Sequence, residues 1–100
     1  MQRAELKKIN VLALFAGFKS PSARRRITPR SFAFQNGDIH RISEIRRSYT
    51  ERVGDTIHGH FVVRTKEDGY FDIVYDSKKM TWFMVVELEE NLLFDMKDEQ

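Results

Sequence analysis

Alternation of apolar and polar residues through residues 27–88, interrupted by short turn sequences, is the feature that most constrains the fold of this chain. A period of two is typical of strands that bury one face. Within residues 38–49, Ile45 falls out of phase with Ile42, which indicates a β-bulge near Ser43 and Glu44. We therefore predict a strongly twisted five-stranded antiparallel meander or half-barrel. Its strands are residues 31–35, 38–49, 57–65, 70–76 and 81–89.

Tight turns separate these segments. Asn36-Gly37 is a strong hairpin signal, because both central residues of a type I′ turn need a positive φ. Residues 52–55 are interpreted as a loop, and residues 66–69 as the next turn. Asp76 precedes a turn at 77–79, where we expect its carboxylate to accept hydrogen bonds from the backbone.

The N-terminal region is apolar at helical spacing. Residues Val11, Leu14, Phe15 and Phe18 fall at positions i, i+3, i+4 and i+7, which predicts a helix over residues 1–18. This helix is apolar nearly all round, so either the sheet covers it or a partner does. The expected fold class is α+β, mainly β, with the helix packed on the sheet. The same four residues are the candidate surface for a homo-oligomer or a protein partner.

Pro21 disfavours helix at the residue before it, so the helix is expected to end there. Residues 19–30 are then a basic connector, residues 31–89 the antiparallel sheet and residues 90–100 an acidic tail. A chain of 100 residues fits one domain. The longest apolar run, residues 11–18, is far below the roughly 20 residues of a membrane span.

Charge is divided unevenly along the chain. Residues 1–52 hold 12 Lys/Arg and 4 Asp/Glu, whereas residues 53–100 hold 5 and 11. Arginine binds phosphate bidentately and stacks on bases. We therefore predict a nucleic-acid-binding face, and the alternative is that the acids of the second half neutralise it in the fold. The candidate residues are Arg24, Arg25, Arg26, Arg30, Arg41, Arg46 and Arg47.

His58 and His60 lie two apart on a predicted strand and form a workable pair of metal ligands. A site needs a third ligand, and His40, Asp55 or Asp72 could approach, but no spacing requires it. We therefore predict no metal and no cofactor, and a metal-dependent enzyme built on the two histidines stays the third hypothesis.

Catalytic signals are absent from the sequence. Asp72 and Asp76 share a face but lie about 13 Å apart on an extended strand, which is long for a catalytic pair. The chain has no cysteine, which excludes thiol catalysis and disulfides and fits a reducing cytosol. We predict that the protein is cytoplasmic, is not an enzyme and has no catalytic residue.

Two motifs resemble a known family. Residues 32–49 carry Phe32, Phe34, Gly37 and Tyr49, and residues 69–87 carry a Gly-Tyr-Phe-Asp-Ile sequence followed by Trp82. This pattern resembles a small bacterial β-domain family of unknown function, members of which are similar to a tail domain on or beside Y-family-like DNA polymerase proteins. The resemblance covers about residues 27–88. It implies a bacterial accessory module near nucleic acid and gives no catalytic residue to assign.

These observations favour a non-enzymatic binding or accessory module that contacts nucleic acid through its arginines. The alternative is a protein-interaction or oligomerisation module that uses the apolar N-terminal helix.

Overall fold

The computed structural model describes residues 6–21 and 25–89, and every regular element in these ranges is a β-strand. No helix in this part of the chain could cross a membrane. The six strands are β1 (Lys7–Phe15), β2 (Ile27–Ala33), β3 (Ile39–Val53), β4 (Thr56–Thr65), β5 (Tyr70–Asp76) and β6 (Thr81–Leu88).

The strands form a closed antiparallel barrel in the order β1-β2-β3-β4-β5-β6. Each strand pairs with its neighbours in sequence, and β1 closes the barrel by pairing Lys7–Ile9 with Trp82–Met84 of β6. The predicted antiparallel sheet is therefore confirmed, but the predicted five-stranded meander or half-barrel is wrong.

The predicted N-terminal helix, and with it the α+β fold class, is also wrong, because Lys7–Phe15 form strand β1; residues 1–5 of the predicted helix lie outside the described residues. A short apolar run fits both the helical period and the strand period. The pairing of β1 with β6, which decides between them, joins segments that are distant in sequence. Val11 is half-buried and packs on the core, whereas Leu14, Phe15 and Phe18 are exposed. A partner surface made by a helix carrying Val11, Leu14, Phe15 and Phe18 is accordingly excluded.

The barrel interior is filled by side chains, as expected for so few strands. Phe32, Val63 and Ile73 are almost completely buried, and each such side chain contributes about 1.5–3 kcal/mol by leaving water. The buried core consists of Ile9, Phe32, Phe61, Val63, Phe71, Ile73, Tyr75, Trp82 and Met84.

Much of the predicted strand pattern is confirmed. β4, β5 and β6 agree with the predicted segments to within a residue. The bulge predicted near Ser43 and Glu44 is present as a register shift between Ile42 and Glu44, and a second shift follows between Ile45 and Arg47. These bulges bend β3, which is 15 residues long, so that it pairs with β2 near its start and with β4 beyond.

Two local predictions need correction. The turn at Asn36-Gly37 is present, but only Gly37 has a positive φ (96°), so it is not type I′. The Asn36 side chain instead accepts a 2.9 Å hydrogen bond from the backbone N–H of Asp38. The connector ends earlier than residue 30, because β2 begins at Ile27 and accommodates Pro29 at a bulge opposite Ala13. Arg24 and the acidic tail from residue 90 lie outside the described residues.

Candidate metal centre on the outer face of the barrel

The hairpin of β3 and β4 fixes the position of the histidine pair. Its strands are joined by a two-residue turn, Gly54-Asp55, with Val53 paired to Thr56. Gly54 has a φ of 64°, as the first central residue of a type II′ turn requires. This register places Glu51 opposite His58 and Tyr49 opposite His60. Because cross-strand partners share a face, all four side chains lie on the outer wall.

Glu51, His58 and His60 converge there. One ligating atom from each lies within 4.8 Å of the other two. The His60 Nε2 to Glu51 Oε1 distance is 3.1 Å. Two ligands on one tetrahedral metal are about 3.4 Å apart, given bonds of about 2.1 Å. Small side-chain rotations would therefore bring the three donors to one ion.

Each histidine has a carboxylate behind it, supplied by β5. Asp72 Oδ1 lies 3.6 Å from His60 Nδ1, and both atoms are buried without a hydrogen-bond partner. Asp76 Oδ2 lies 3.5 Å from His58 Nε2. Metal-ligating histidines usually donate their second ring nitrogen to a carboxylate in this way.

The two carboxylates differ in electrostatic environment. Burial raises the pKa of the Asp72 carboxyl above its usual range, and His60 acts in the opposite direction. Backbone N–H groups of Lys79 and Lys78 donate to Asp76 Oδ1 at 3.0 Å each and lower the pKa of Asp76. Asp76 is therefore held as an anion in a turn, as predicted from its position, while for Asp72 burial outweighs the opposing effects of His60 and Arg47. A cation bound at His60 would add a positive charge beside Asp72.

Aromatic and apolar neighbours hold the imidazole rings. Tyr49 stacks on His60 with 4.5 Å between ring centroids and 5° between planes, and Phe83 meets His58 edge-on at 5.7 Å. Val62 and Val74, on the same face, are almost fully buried. Burial also raises the pKa of Tyr49, so its hydroxyl stays neutral beside the site.

The other residues weighed as third ligands lie elsewhere. His40 stacks on Phe32 inside the barrel, and Asp55 pairs with Lys78 at 2.8 Å. Asp72 stands behind His60 rather than beside both histidines. The third candidate ligand is Glu51, which the sequence interpretation missed because it treated residues 52–55 as a loop. A two-residue turn at Gly54-Asp55 would have placed Glu51 opposite His58.

The predicted nucleic-acid residues are spread over several environments. Arg41 pairs with Glu67 at 3.1 Å and Arg46 with Glu44 at 3.3 Å. Arg47 lies over the Tyr49 ring at 5.1 Å. Arg25 Nε donates to Ser48 Oγ at 3.3 Å, which brings the connector against β3, and Arg26 and Arg30 are exposed.

The aromatic residues near these arginines offer little for base stacking. Phe32 is buried in the core and Phe34 packs against it. Tyr49 is 40% exposed, but its ring already contacts His60 and Arg47. Acids of both halves thus neutralise part of the arginine face.

Comparison of this chain with protein-family models, with curated proteins and with solved structures finds no match.

Proposed function

We propose that this protein is a metal-binding module that holds one first-row divalent transition metal, Zn²⁺ in the first instance, through Glu51, His58 and His60. The observation that carries the proposal is the convergence of these three donors within 4.8 Å with a buried, unpartnered carboxylate oxygen behind His60. A buried polar atom without a partner needs an explanation. A metal on His60 Nε2 gives one, because it fixes the ring proton on Nδ1, facing Asp72.

The donor set selects the class of metal. Two imidazoles and one carboxylate suit Zn²⁺ and its neighbours in the first transition row, whereas Ca²⁺ and Mg²⁺ prefer oxygen ligands. Three protein ligands leave at least one coordination position for water or a ligand. Glu51, whose side chain is 55% exposed, keeps the site open to solvent.

The proposed metal is not required for folding. All three ligands belong to one hairpin, whose strands already pair through ten residue pairs, and the filled core does not involve them. We therefore expect a folded metal-free protein that the ion stabilises by mass action. This distinguishes the site from small metal-dependent folds that are unfolded without their ion.

Calorimetric titration of tag-free, chelator-treated protein with Zn²⁺ tests the proposal. We expect one Zn²⁺ per chain, and Glu51→Gln and His60→Asn should each weaken binding by at least about 100-fold, more than loss of an outer partner would. Glu44→Gln is the matched control, since Glu44 is also an exposed glutamate of β3 (48% against 55%). Absence of stoichiometric binding, or equal affinity in Glu51→Gln and Glu44→Gln, would refute the proposal.

Nucleic-acid contact is a second candidate, favoured by one observation. Arg25, Arg26 and Arg30 are exposed, and none of them forms an ion pair within the described residues. Fluorescence anisotropy with single-stranded oligonucleotides should show binding that weakens steeply with salt. Reversing the three charges to glutamate should abolish it, whereas Lys66→Glu should not. Equal binding by both variants would contradict this second candidate function.

A non-enzymatic role and a cytosolic location belong to the same proposal, and the absence of cysteine supports the cytosolic location.

A further inference from the structure

A groove opens at the end of the barrel where β1 separates from β6. The two strands pair only from Lys7–Ile9 to Trp82–Met84, and beyond Ile9 strand β1 pairs with β2 alone. The turn after β5 and the tip of the β3–β4 hairpin supply the other walls. The groove has a volume of about 820 Å³, within the range of small-molecule sites.

Apolar side chains dominate the groove. Trp82 and Ile9 form its buried floor beside Phe83. Leu6, Val53 and Met80 stand around it and are 62%, 48% and 74% exposed. These three residues come from separate parts of the chain, so it is the fold that brings them together at the groove. Covering them would remove apolar surface from water.

The charge left uncompensated in the groove is positive. Lys8 and Lys79 line it, and neither forms an ion pair within the described residues. Its one carboxylate, Asp76, is already bound by two backbone N–H groups and lies beside His58. An incoming anion would therefore meet two unpaired ammonium groups.

We infer that this groove binds an amphipathic organic anion, an apolar chain or ring that ends in a carboxylate. The apolar part would cover Trp82, Phe83 and Met80, and the carboxylate would lie between Lys8 and Lys79. The ligand is a free small molecule of the fatty-acid class. The groove contains one of the three candidate metal ligands, His58, together with Asp76 and Phe83, which contact its ring. The inference does not depend on a metal being bound there.

Trp82 makes the inference directly testable, because it is the only tryptophan of the chain and lies in the groove floor. Metal-free protein is titrated with dodecanoate below its micellar concentration while tryptophan fluorescence is recorded. We expect a saturable change with one ligand per chain. Dodecyltrimethylammonium, which has the same chain and the opposite charge, should bind at least about tenfold more weakly.

Variants separate the charged and apolar parts of the site. Lys8→Glu/Lys79→Glu should weaken dodecanoate binding by at least about tenfold and strengthen binding of the cation. Lys19→Glu/Lys66→Glu, which reverses two exposed lysines outside the groove, is the matched control. Met80→Asn removes an apolar side chain from the groove and introduces a residue type that tolerates the φ of 56° at this position. It should weaken the binding of dodecanoate and of neutral dodecanol alike.

The outcomes that would overturn the inference are specific. They are a fluorescence change that does not saturate, equal affinity for the anion and the cation, or equal binding by the two lysine double variants. His60→Asn should bind dodecanoate as the unsubstituted protein does. A negative metal titration would therefore not contradict the proposal for the groove, and a negative dodecanoate titration would not contradict the proposal for the metal site.

Discussion

His60 has two ring nitrogens that face two different carboxylates, Glu51 at Nε2 and Asp72 at Nδ1. A neutral imidazole has one N–H, so it can donate to only one of them, and the other contact sets a nitrogen lone pair against a carboxylate oxygen. Two arrangements remove this conflict: an imidazolium that donates from both nitrogens, or a metal ion on Nε2 that Glu51 and His60 share, with the Nδ1–H directed at Asp72. The residue-scale geometry thus favours a positive charge at His60, which a bound cation would supply.

Asp72→Asn tests this assignment. Loss of the carboxylate behind His60 should weaken Zn²⁺ binding by about 10–100-fold, measured by competition with a chelator. The melting temperature of the metal-free variant should stay the same or rise, because Asn removes a buried charge whose Oδ1 has no partner.

Asp68→Asn is the control for that experiment. Asp68 is an exposed turn aspartate with a φ of 65°, a conformation that asparagine also tolerates. An unchanged Zn²⁺ affinity in Asp72→Asn, or an equal loss in both variants, would contradict the role given to Asp72.

At the scale of the element, the β3–β4 hairpin places the candidate ligands through its turn. Register in a hairpin follows from turn length, and a slip of one residue moves every side chain to the opposite face. Glu51 and His58 meet only because two residues, Gly54 and Asp55, connect the strands.

Gly54→Ala should destabilise the protein by about 1–3 kcal/mol, the cost of placing a side chain at a positive φ that the first position of a type II′ turn reserves for glycine. No heavy atom lies within 4 Å of the added Cβ, so the cost comes from the backbone alone. Urea unfolding measures it. Gly17→Ala is the matched control, because Gly17 also has open space around it but no positive φ. Equal effects of the two alanine variants would count against the turn's role.

How far the elements could be predicted from sequence depended on how local their determinants are. β4, β5 and β6 have a clear period of two and tight turns, and they agree with prediction. β1 does not, because Val11, Leu14, Phe15 and Phe18 satisfy a helical period equally well and the pairing with β6 lies some seventy residues away in sequence. The candidate site was half predictable: the histidine pair is visible as His58-x-His60, but Glu51 requires the correct turn length.

At the scale of the whole molecule, closure of the barrel decides where a ligand can bind. Six strands enclose an interior that side chains fill. The candidate metal site therefore lies on the outer wall, and the groove lies where β1 separates from β6. The uneven charge of the two halves is also partly resolved by folding. Arg41 of the first half pairs with Glu67 of the second.

The strands of the barrel wall are joined by unequal numbers of residue pairs. β1 and β2 pair with each other along most of their length, but only three residue pairs join β1 to β6 and three join β2 to β3. The β1–β2 pair is therefore only weakly attached to the sheet formed by the other four strands, and it can detach at a free energy below that of global unfolding. Native-state amide exchange would record this as weaker protection in β1 and β2 than in β4 and β5. Detachment would uncover Phe71 and Tyr75, which contact Phe32 of β2 and Phe15 of β1, and leave two bare strand edges, which is the state from which this chain would aggregate.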